Sequence, residues 1–322
     1  MNDAKIRAGV AGVGAIGRNH ARIYAELENA ELTAIFDADT ERARAVADEF
    51  GGTVAGSIDE LIAMVDAASV STPTVTHREI GTALLDAGKH VLVEKPIADS
   101  LDDAKALIDL AAERGCVLQV GHIERFNPVM AQLEARLTDP KFLEVHRLSP
   151  FPNRSVDIGV VLDLMIHDLE IILHLVGAPI EQIDAVGIPV LTRREDIANA
   201  RLRFANGAVA NVTASRISPE RMRKIRVFQS DAYLSLDYQD QSGWIYRKDG
   251  LEIAREAVEV EKDEPLKREL ASFIDCAARG AAPKVSGEHG AAALDVALEI
   301  TRLIETANHA GKDPRIDANG RE

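Results

Sequence analysis

Apolar and polar positions fall into alternating blocks along the first third of the chain. Compact apolar runs at 5–11, 32–36, 67–71, 91–93 and 117–120 predict strands. The stretches between them place apolar residues at helical spacing and carry helix punctuation. Asp39-Thr40 caps one helix that Gly51-Gly52 stops. Ser57-x-x-Glu60, Thr76-x-x-Glu79 and Ser100-x-x-Asp103 read as capping boxes, and Gly88 and Gly115 as stops. Strands and helices that trade places at short intervals predict a parallel sheet with helices on both faces. Ligands in such sheets collect beyond the carboxyl ends of the strands. Three stretches emerge there: the loop after the first strand, Thr72-Pro73, and Glu94-Lys95-Pro96.

After Gly121 the pattern changes. Glu124-Arg125-Phe126-Asn127-Pro128 starts a helix expected to run to 137, and 142–148 alternates as a strand. The loop Ser149-Pro150-Phe151-Pro152-Asn153-Arg154 precedes a helix over 159–176 that is apolar almost all round and must be buried. Residues 200–214 read as a hairpin around Asn206-Gly207, which suits a type I′ turn. Runs at 225–229, 233–238, 244–247 and 251–260 continue an antiparallel sheet. Pro265 opens a helix expected to run to 279, an amphipathic helix is expected over 290–310, and 312–322 reads as a polar tail. Helices on one face of this sheet would leave its other face to be buried, which a homodimer or homotetramer would do.

The loop after the first strand reads Gly12-Val13-Gly14-Ala15-Ile16-Gly17. In the order strand, turn, helix, these three glycines suit dinucleotide binding. Gly12 permits a sharp turn, Gly14 lets backbone approach a pyrophosphate, and Gly17 lets the helix pack tightly. Ala15 and Ile16 belong to the same turn, so the phosphates would lie on the helix N-terminus. The second strand ends at Asp37, about 20 residues beyond Gly17, where a carboxylate accepts from an adenosine ribose. A carboxylate there repels a 2′-phosphate, which argues for NAD. The fold expected is therefore α/β: an N-terminal Rossmann doubly wound parallel sheet over 1–121, then an α/β domain over 122–322 with a large, mostly antiparallel open-faced sheet.

Lys95 follows a buried strand and faces this crevice. It reads either as a solvated loop lysine or as a donor or base acting on a substrate hydroxyl. In the oily helix sit Asp163, His167, Asp168, Glu170 and His174. Asp163 and His167, at i and i+4, share one face. They read either as a structural ion pair or as a base oriented by an acid. Two such residues are weak grounds for a metal, and none is expected. His174 reads as a core histidine.

The net charge of −15 argues against nucleic acid or an anionic membrane as partner, and the 46% apolar content argues against disorder. No run is long enough to span a bilayer, so the expected location is cytoplasmic. Cys116 and Cys276 read as buried, reduced thiols.

Gly12-x-Gly14-x-x-Gly17, Thr72-Pro73-x-x-x-His77, Glu94-Lys95-Pro96, Asp163-x-x-x-His167 and Val285-Ser-Gly-Glu288 together resemble the Gfo/Idh/MocA oxidoreductase family along nearly the whole chain. The resemblance implies NAD(P)-dependent oxidoreduction and a subunit contact made by the open sheet. It also implies a possible cis Lys95-Pro96 peptide, with Lys95, Asp163 and His167 meeting at the nicotinamide. The cofactor contacts it implies add Thr72, Pro73, His77, Glu94 and Lys95 to the glycine loop and Asp37. Gly121-His-Ile-Glu-Arg-Phe-Asn-Pro128 and the stretch from Asp157 to Asp168 look like the branch that oxidises the 3-hydroxyl of UDP-N-acetylglucosamine. That implies a UDP-sugar bound by Lys95, Arg125, Asn127, Arg154, Asp163 and His167, with Arg125 and Arg154 suited to its phosphates, although either alone reads more readily as a surface arginine. Two rivals stand: a dehydrogenase of a free sugar or inositol, and a non-catalytic NAD- or sugar-binding regulator.

Overall fold

The computed structural model describes residues 5–151, 158–249 and 252–310. Contacts divide the chain into two compact units. One comprises Met1–Asn127 and Asp263–Ala292, the other Pro128–Lys262 and Ala293–Glu322.

In the first unit, β1 (Ile6–Ala11), β2 (Ala30–Phe36), β3 (Thr53–Val54), β4 (Ala67–Val70), β5 (His90–Glu94) and β6 (Leu118–Gly121) form one sheet in the order β3-β2-β1-β4-β5-β6. All its pairs are parallel. The chain reverses direction across the sheet between β1 and β4, which makes that edge the switch point. The helices are α1 (Ala15–Glu26), α2 (Thr40–Phe50), α3 (Ile58–Met64), α4 (His77–Asp86) and α5 (Leu101–Arg114). Asp39, Ser57 and Ser100 cap α2, α3 and α5 as the sequence predicts. Thr76 does not cap α4. Its hydroxyl donates to Pro73 O and pairs with the Thr72 hydroxyl at 2.7 Å, and a 3₁₀ turn leads into the helix instead.

Beyond Asn127, one later helix also belongs to this unit: α8 (Pro265–Arg279), whose Leu266, Leu270, Phe273 and Ile274 share a core with β1 and α1. The amphipathic pattern of 265–279 predicts a buried face but does not say which core receives it. The expected boundary at 121 accordingly lacked this return of the chain.

In the second unit, α6 (Pro128–Glu134) is shorter than expected, and a 3₁₀ turn (Ile123–Phe126) precedes it. β7 (Phe142–Leu148), β8 (Ile180–Ile188), β9 (Ile197–Phe204), β10 (Val209–Ser215), β11 (Met222–Phe228), β12 (Ala232–Asp237), β13 (Ser242–Asp249) and β14 (Glu252–Ala257) make a sheet ordered β14-β13-β12-β11-β7-β10-β9-β8. Every pair is antiparallel except β7 with β10. The core on one face is built by α6, α7 (Ile166–Val176) and the later part of α9 (Gly287–Ala310).

β8 escaped the sequence pattern because a bulge at Ile180/Gln182 breaks its alternation. The β9–β10 turn is not type I′. Only Gly207 has positive φ (82°), and Gly207 N–H donates to Phe204 O, as in a type I turn closed by a left-handed glycine. The apolar helix expected over 159–176 opens with a π turn (Val161–Met165) before α7. His174 is exposed, with Nε2 3.1 Å from Glu134 Oε1, so it is not a core histidine. Of the two cysteines only Cys276 is buried; Cys116 is half-buried.

Arg147 on β7 grips Asp168 on α7 with two bonds, Nε to Oδ2 at 2.7 Å and Nη2 to Oδ1 at 2.9 Å. Both side chains are almost wholly buried. Removing one partner strands the other charge, so Asp168→Ala should lower unfolding free energy by about 3 kcal/mol in urea titration. A loss below about 1 kcal/mol would mean the pair carries little of this packing.

Candidate functional site

The glycine loop shows why two of its three glycines are needed. Gly12 has φ 85°, and a Cβ there would lie 2.8 Å from Thr72 N and 2.9 Å from the Ser71 carbonyl carbon. The turn out of β1 is thus pressed against the turn out of β4. A Cβ on Gly17 would sit 1.8 Å from Gly12 O, so α1 closes directly onto that turn. A Cβ on Gly14 would meet nothing within 4 Å. Gly14 is the N-cap of α1 and supplies no side-chain cap, so the first N–H groups of the helix face an open, uncapped surface. Ala15 and Ile16 form that first turn, and Ile16 is exposed. This cradle fits an anionic pyrophosphate.

Asp37 stands just past β2. Its Oδ2 accepts from Val13 N–H and its Oδ1 from Asp39 N–H, both at 2.8 Å. It braces the glycine loop, and about half of a carboxylate's roughly four acceptor sites remain for ribose hydroxyls. Arg42 Nη1 lies 3.5 Å from it.

The turns after β4 and β5 are linked by His77, which is only 1% exposed. Its Nε2 is 2.9 Å from Thr72 O and its Nδ1 3.0 Å from Pro96 O. Burial lowers its pKa, and the carbonyls of Thr72 and Pro96 oppose that shift. His77 therefore acts on the loops that carry Thr72, Pro73 and Lys95. The Lys95-Pro96 peptide is cis. Glu94 ends β5, and one of its oxygens accepts from Lys95 N–H at 3.3 Å.

Beyond β6 the unit gathers buried polar groups that periodicity did not single out. His122, Glu124, Arg125, Asn127, Gln119 and Glu269 are each less than 5% exposed. Arg125 is thus no surface arginine, and Asn127 donates to Glu124 Oε2 at 3.3 Å. Burial pulls the His122 pKa down to about 3, helped by Lys95, Arg125 and His289. Glu269 had a readable signal: it interrupts the apolar stripe Leu266, Leu270, Phe273 of α8. His20, fully buried on α1, likewise stands among apolar positions.

In the second unit the polar residues of the oily helix separate. Asp168 and Glu170 are buried, whereas Asp163 and His167 are half-buried. Asp163 belongs to the π turn and His167 to the first turn of α7. Such turns recur at functional sites. The helix start is fixed by Gly159, where a Cβ would lie 1.8 Å from Glu195 Oε1, and by Val160 N–H donating to Glu195 O. Arg154 and Asp157 lie outside the described residues. Among the described residues no three ligands gather for a metal ion, and no helix is long and apolar enough to cross a membrane.

The profile of the oxidoreductase family with an NAD-binding Rossmann fold matches residues 6–122, and that of the GFO/IDH/MocA C-terminal domain matches 131–235. The chain is 39% identical over 307 residues to UDP-N-acetylglucosamine 3-dehydrogenase of Acidithiobacillus ferrooxidans, covering 93% of this chain and 97% of the relative. The solved structure of that enzyme superposes with a TM-score of 0.90 over 94% of this chain and 98% of the other. Myo-inositol 2-dehydrogenase of Thermotoga maritima is 30% identical over 324 residues, 93% of this chain and 96% of the relative.

The depressed pKa of His122 predicts a pH dependence. An unfolded histidine titrates near about 6.5. Between that value and about 3 the unfolded chain holds a proton that the folded chain lacks. Stability from this group is therefore full above about 6.5 and falls as pH drops. Between pH 7 and pH 5 the loss is about 2 kcal/mol. In His122→Gln the urea-unfolding free energy should fall by correspondingly less over the same interval. An equal fall in both proteins would assign the effect to other groups.

Proposed function

We propose that this protein, which belongs to the GFO/IDH/MocA oxidoreductase family, oxidises the 3-hydroxyl of UDP-N-acetylglucosamine to a ketone with NAD as cofactor. The observation that carries the substrate is the 39% identity, spread over 93% of the chain, to an enzyme named for that reaction. Asp37 supports NAD over NADP, because its carboxylate at the end of β2 would repel a 2′-phosphate.

The uncapped N-terminus of α1 and the glycine loop hold the pyrophosphate, and Asp37 the adenosine ribose. Thr72, Pro73, Glu94 and Lys95 border the rest of the cofactor. The bound nicotinamide supplies a hydride acceptor. His167 takes the hydroxyl proton, Asp163 orients that imidazole and stabilises its charged form, and Lys95 holds the reacting oxygen. Histidine is the better acceptor because its ordinary pKa lies near neutrality. Arg125 and Arg154 take the diphosphate of the substrate.

A homodimer or homotetramer forms through the sheet face away from the helices. That face carries a cross-strand aromatic row: Phe142–Phe228 at 5.5 Å between ring centres, Phe228–Tyr233 at 4.5 Å and Tyr233–Tyr246 at 4.9 Å. Arg255 stacks over Trp244 at 3.3 Å.

Purified protein with NAD⁺ should form NADH faster on UDP-N-acetylglucosamine than on myo-inositol. The reverse order would favour a free polyol, the substrate class of the 30% identical relative. No NADH on either compound would sink the activity. Replacing His167 by Ala should cut turnover at least about 100-fold while the dissociation constant for NAD⁺ stays within about twofold. Undiminished turnover removes His167 from its role. Light scattering should give a mass of two or four chains, and a monomer at micromolar concentration would overturn the assembly.

A further inference from the structure

We infer that the Glu94 carboxylate biases the cofactor site toward the oxidised, cationic nicotinamide, and that His20 and Gly121 position it for this. The inference rests on the reading of this unit as an NAD site.

The sheet order sets where the nicotinamide end must lie. Asp37 follows β2, on one side of β1, and the glycine loop follows β1 itself. With adenosine over β2 and pyrophosphate at β1, the other half of the dinucleotide extends over the ends of β4 and β5. Glu94 is the last residue of β5. Its side chain is 16% exposed, so the carboxylate is neither wholly buried nor freely solvated.

That carboxylate is confined from three elements. His20 on α1, with no exposed surface, has Nε2 3.2 Å from Oε1. Lys95 N–H donates to Oε2. On β6 a Cβ at Gly121 would lie 2.9 Å from the carboxylate carbon and from both oxygens, so the group lies flat against the Gly121 Cα. His20 is itself wedged edge-on against Tyr24, whose hydroxyl is 2.6 Å from Ser69 Oγ on β4. The field of Glu94 already reaches past its own strand, to His77 on α4 and Tyr24 on α1.

A negative charge fixed beside the ring acts differently on the two cofactor states. Oxidised nicotinamide carries a unit positive charge and the reduced ring carries none, so Coulomb attraction favours only the first. Glu94 thus raises affinity for NAD⁺ and leaves that for NADH unchanged, which suits an enzyme working toward oxidation.

The test is the pair of dissociation constants for NAD⁺ and NADH, measured by calorimetry without substrate at one pH and ionic strength. Glu94→Gln should weaken NAD⁺ about tenfold and move NADH less than about twofold. Glu94→Asp, which keeps the charge, should hold the ratio within about threefold of wild type. Gly121→Ala and His20→Gln, which displace the carboxylate without removing it, should shift the ratio in the direction of Glu94→Gln but less. If Glu94→Gln fails to fold, the Gly121→Ala ratio decides. Both constants moving together, or neither moving, overturns the inference while the cofactor reading stands. Wild-type protein that binds neither form overturns the cofactor reading, and this inference falls with it.

Discussion

The contact on which the first unit depends is the meeting of two backbones where β1 and β4 end. Gly12 lies so close to Ser71 and Thr72 that no side chain fits between them. Ser71 reinforces the contact, its N–H donating to Ala11 O and its hydroxyl to Gly12 O. From that point positions propagate outward. Gly17 closes α1 onto Gly12. Thr72 O meets the buried ring of His77, and the same ring meets Pro96 O beside Lys95. The cradle at β1 and the lysine after β5 are therefore parts of one rigid rim. An added methyl at Gly12 or Gly17 would disturb the turn that carries Lys95 as well as the glycine loop.

In the second unit, burial cost separates scaffold from chemistry. Arg147 with Asp168, and Arg216 with Asp196, are ion pairs with almost no exposed surface. Such pairs persist only with full hydrogen bonding. Asp196 has it. Burial alone would raise its pKa, but N–H groups of Thr192, Leu191 and Val190, together with Arg216, hold the carboxyl well below the usual range. Arg216 also donates to Ile158 O, next to the start of the π turn. Asp163 and His167 are the pair in this helix kept half-accessible. The buried pairs fix the frame, and the half-buried pair is the one to which the proposed function gives proton exchange.

What the sequence discloses follows the range of the interaction. The caps at Asp39, Ser57 and Ser100 are decided within three residues and were legible. Thr76 has the same local pattern, but Thr72 four residues back competes for its hydroxyl, and the cap is lost. The bulge in β8 depends on its pairing with β9, so its alternation fails without a visible cause. The roles of Gly12 and Gly17 were readable because each is a backbone constraint tied to a strand–helix junction. The cluster around His122 was not, because its members come from β6, the turn after it, α8 and α9, and only the folded chain brings them together.

On the function proposed above, that cluster also bears on how a bound hydroxyl would lose its proton. Lys95, Arg125 and His289 each push His122 toward its neutral form. Cationic groups in low-dielectric surroundings lower the cost of a negative charge that develops beside them. In that proposed function, an alkoxide forming on a substrate oxygen held by Lys95 would be a charge of the kind that such groups stabilise. Glu94, pinned against Gly121 at the end of β5, supplies the opposite sign on the same rim. A site that must stabilise an oxyanion and a cationic ring together needs both fields kept apart. Separate anchoring does this: His122 and Arg125 lie beyond β6, while His20, Lys95 N–H and Gly121 hold the carboxylate.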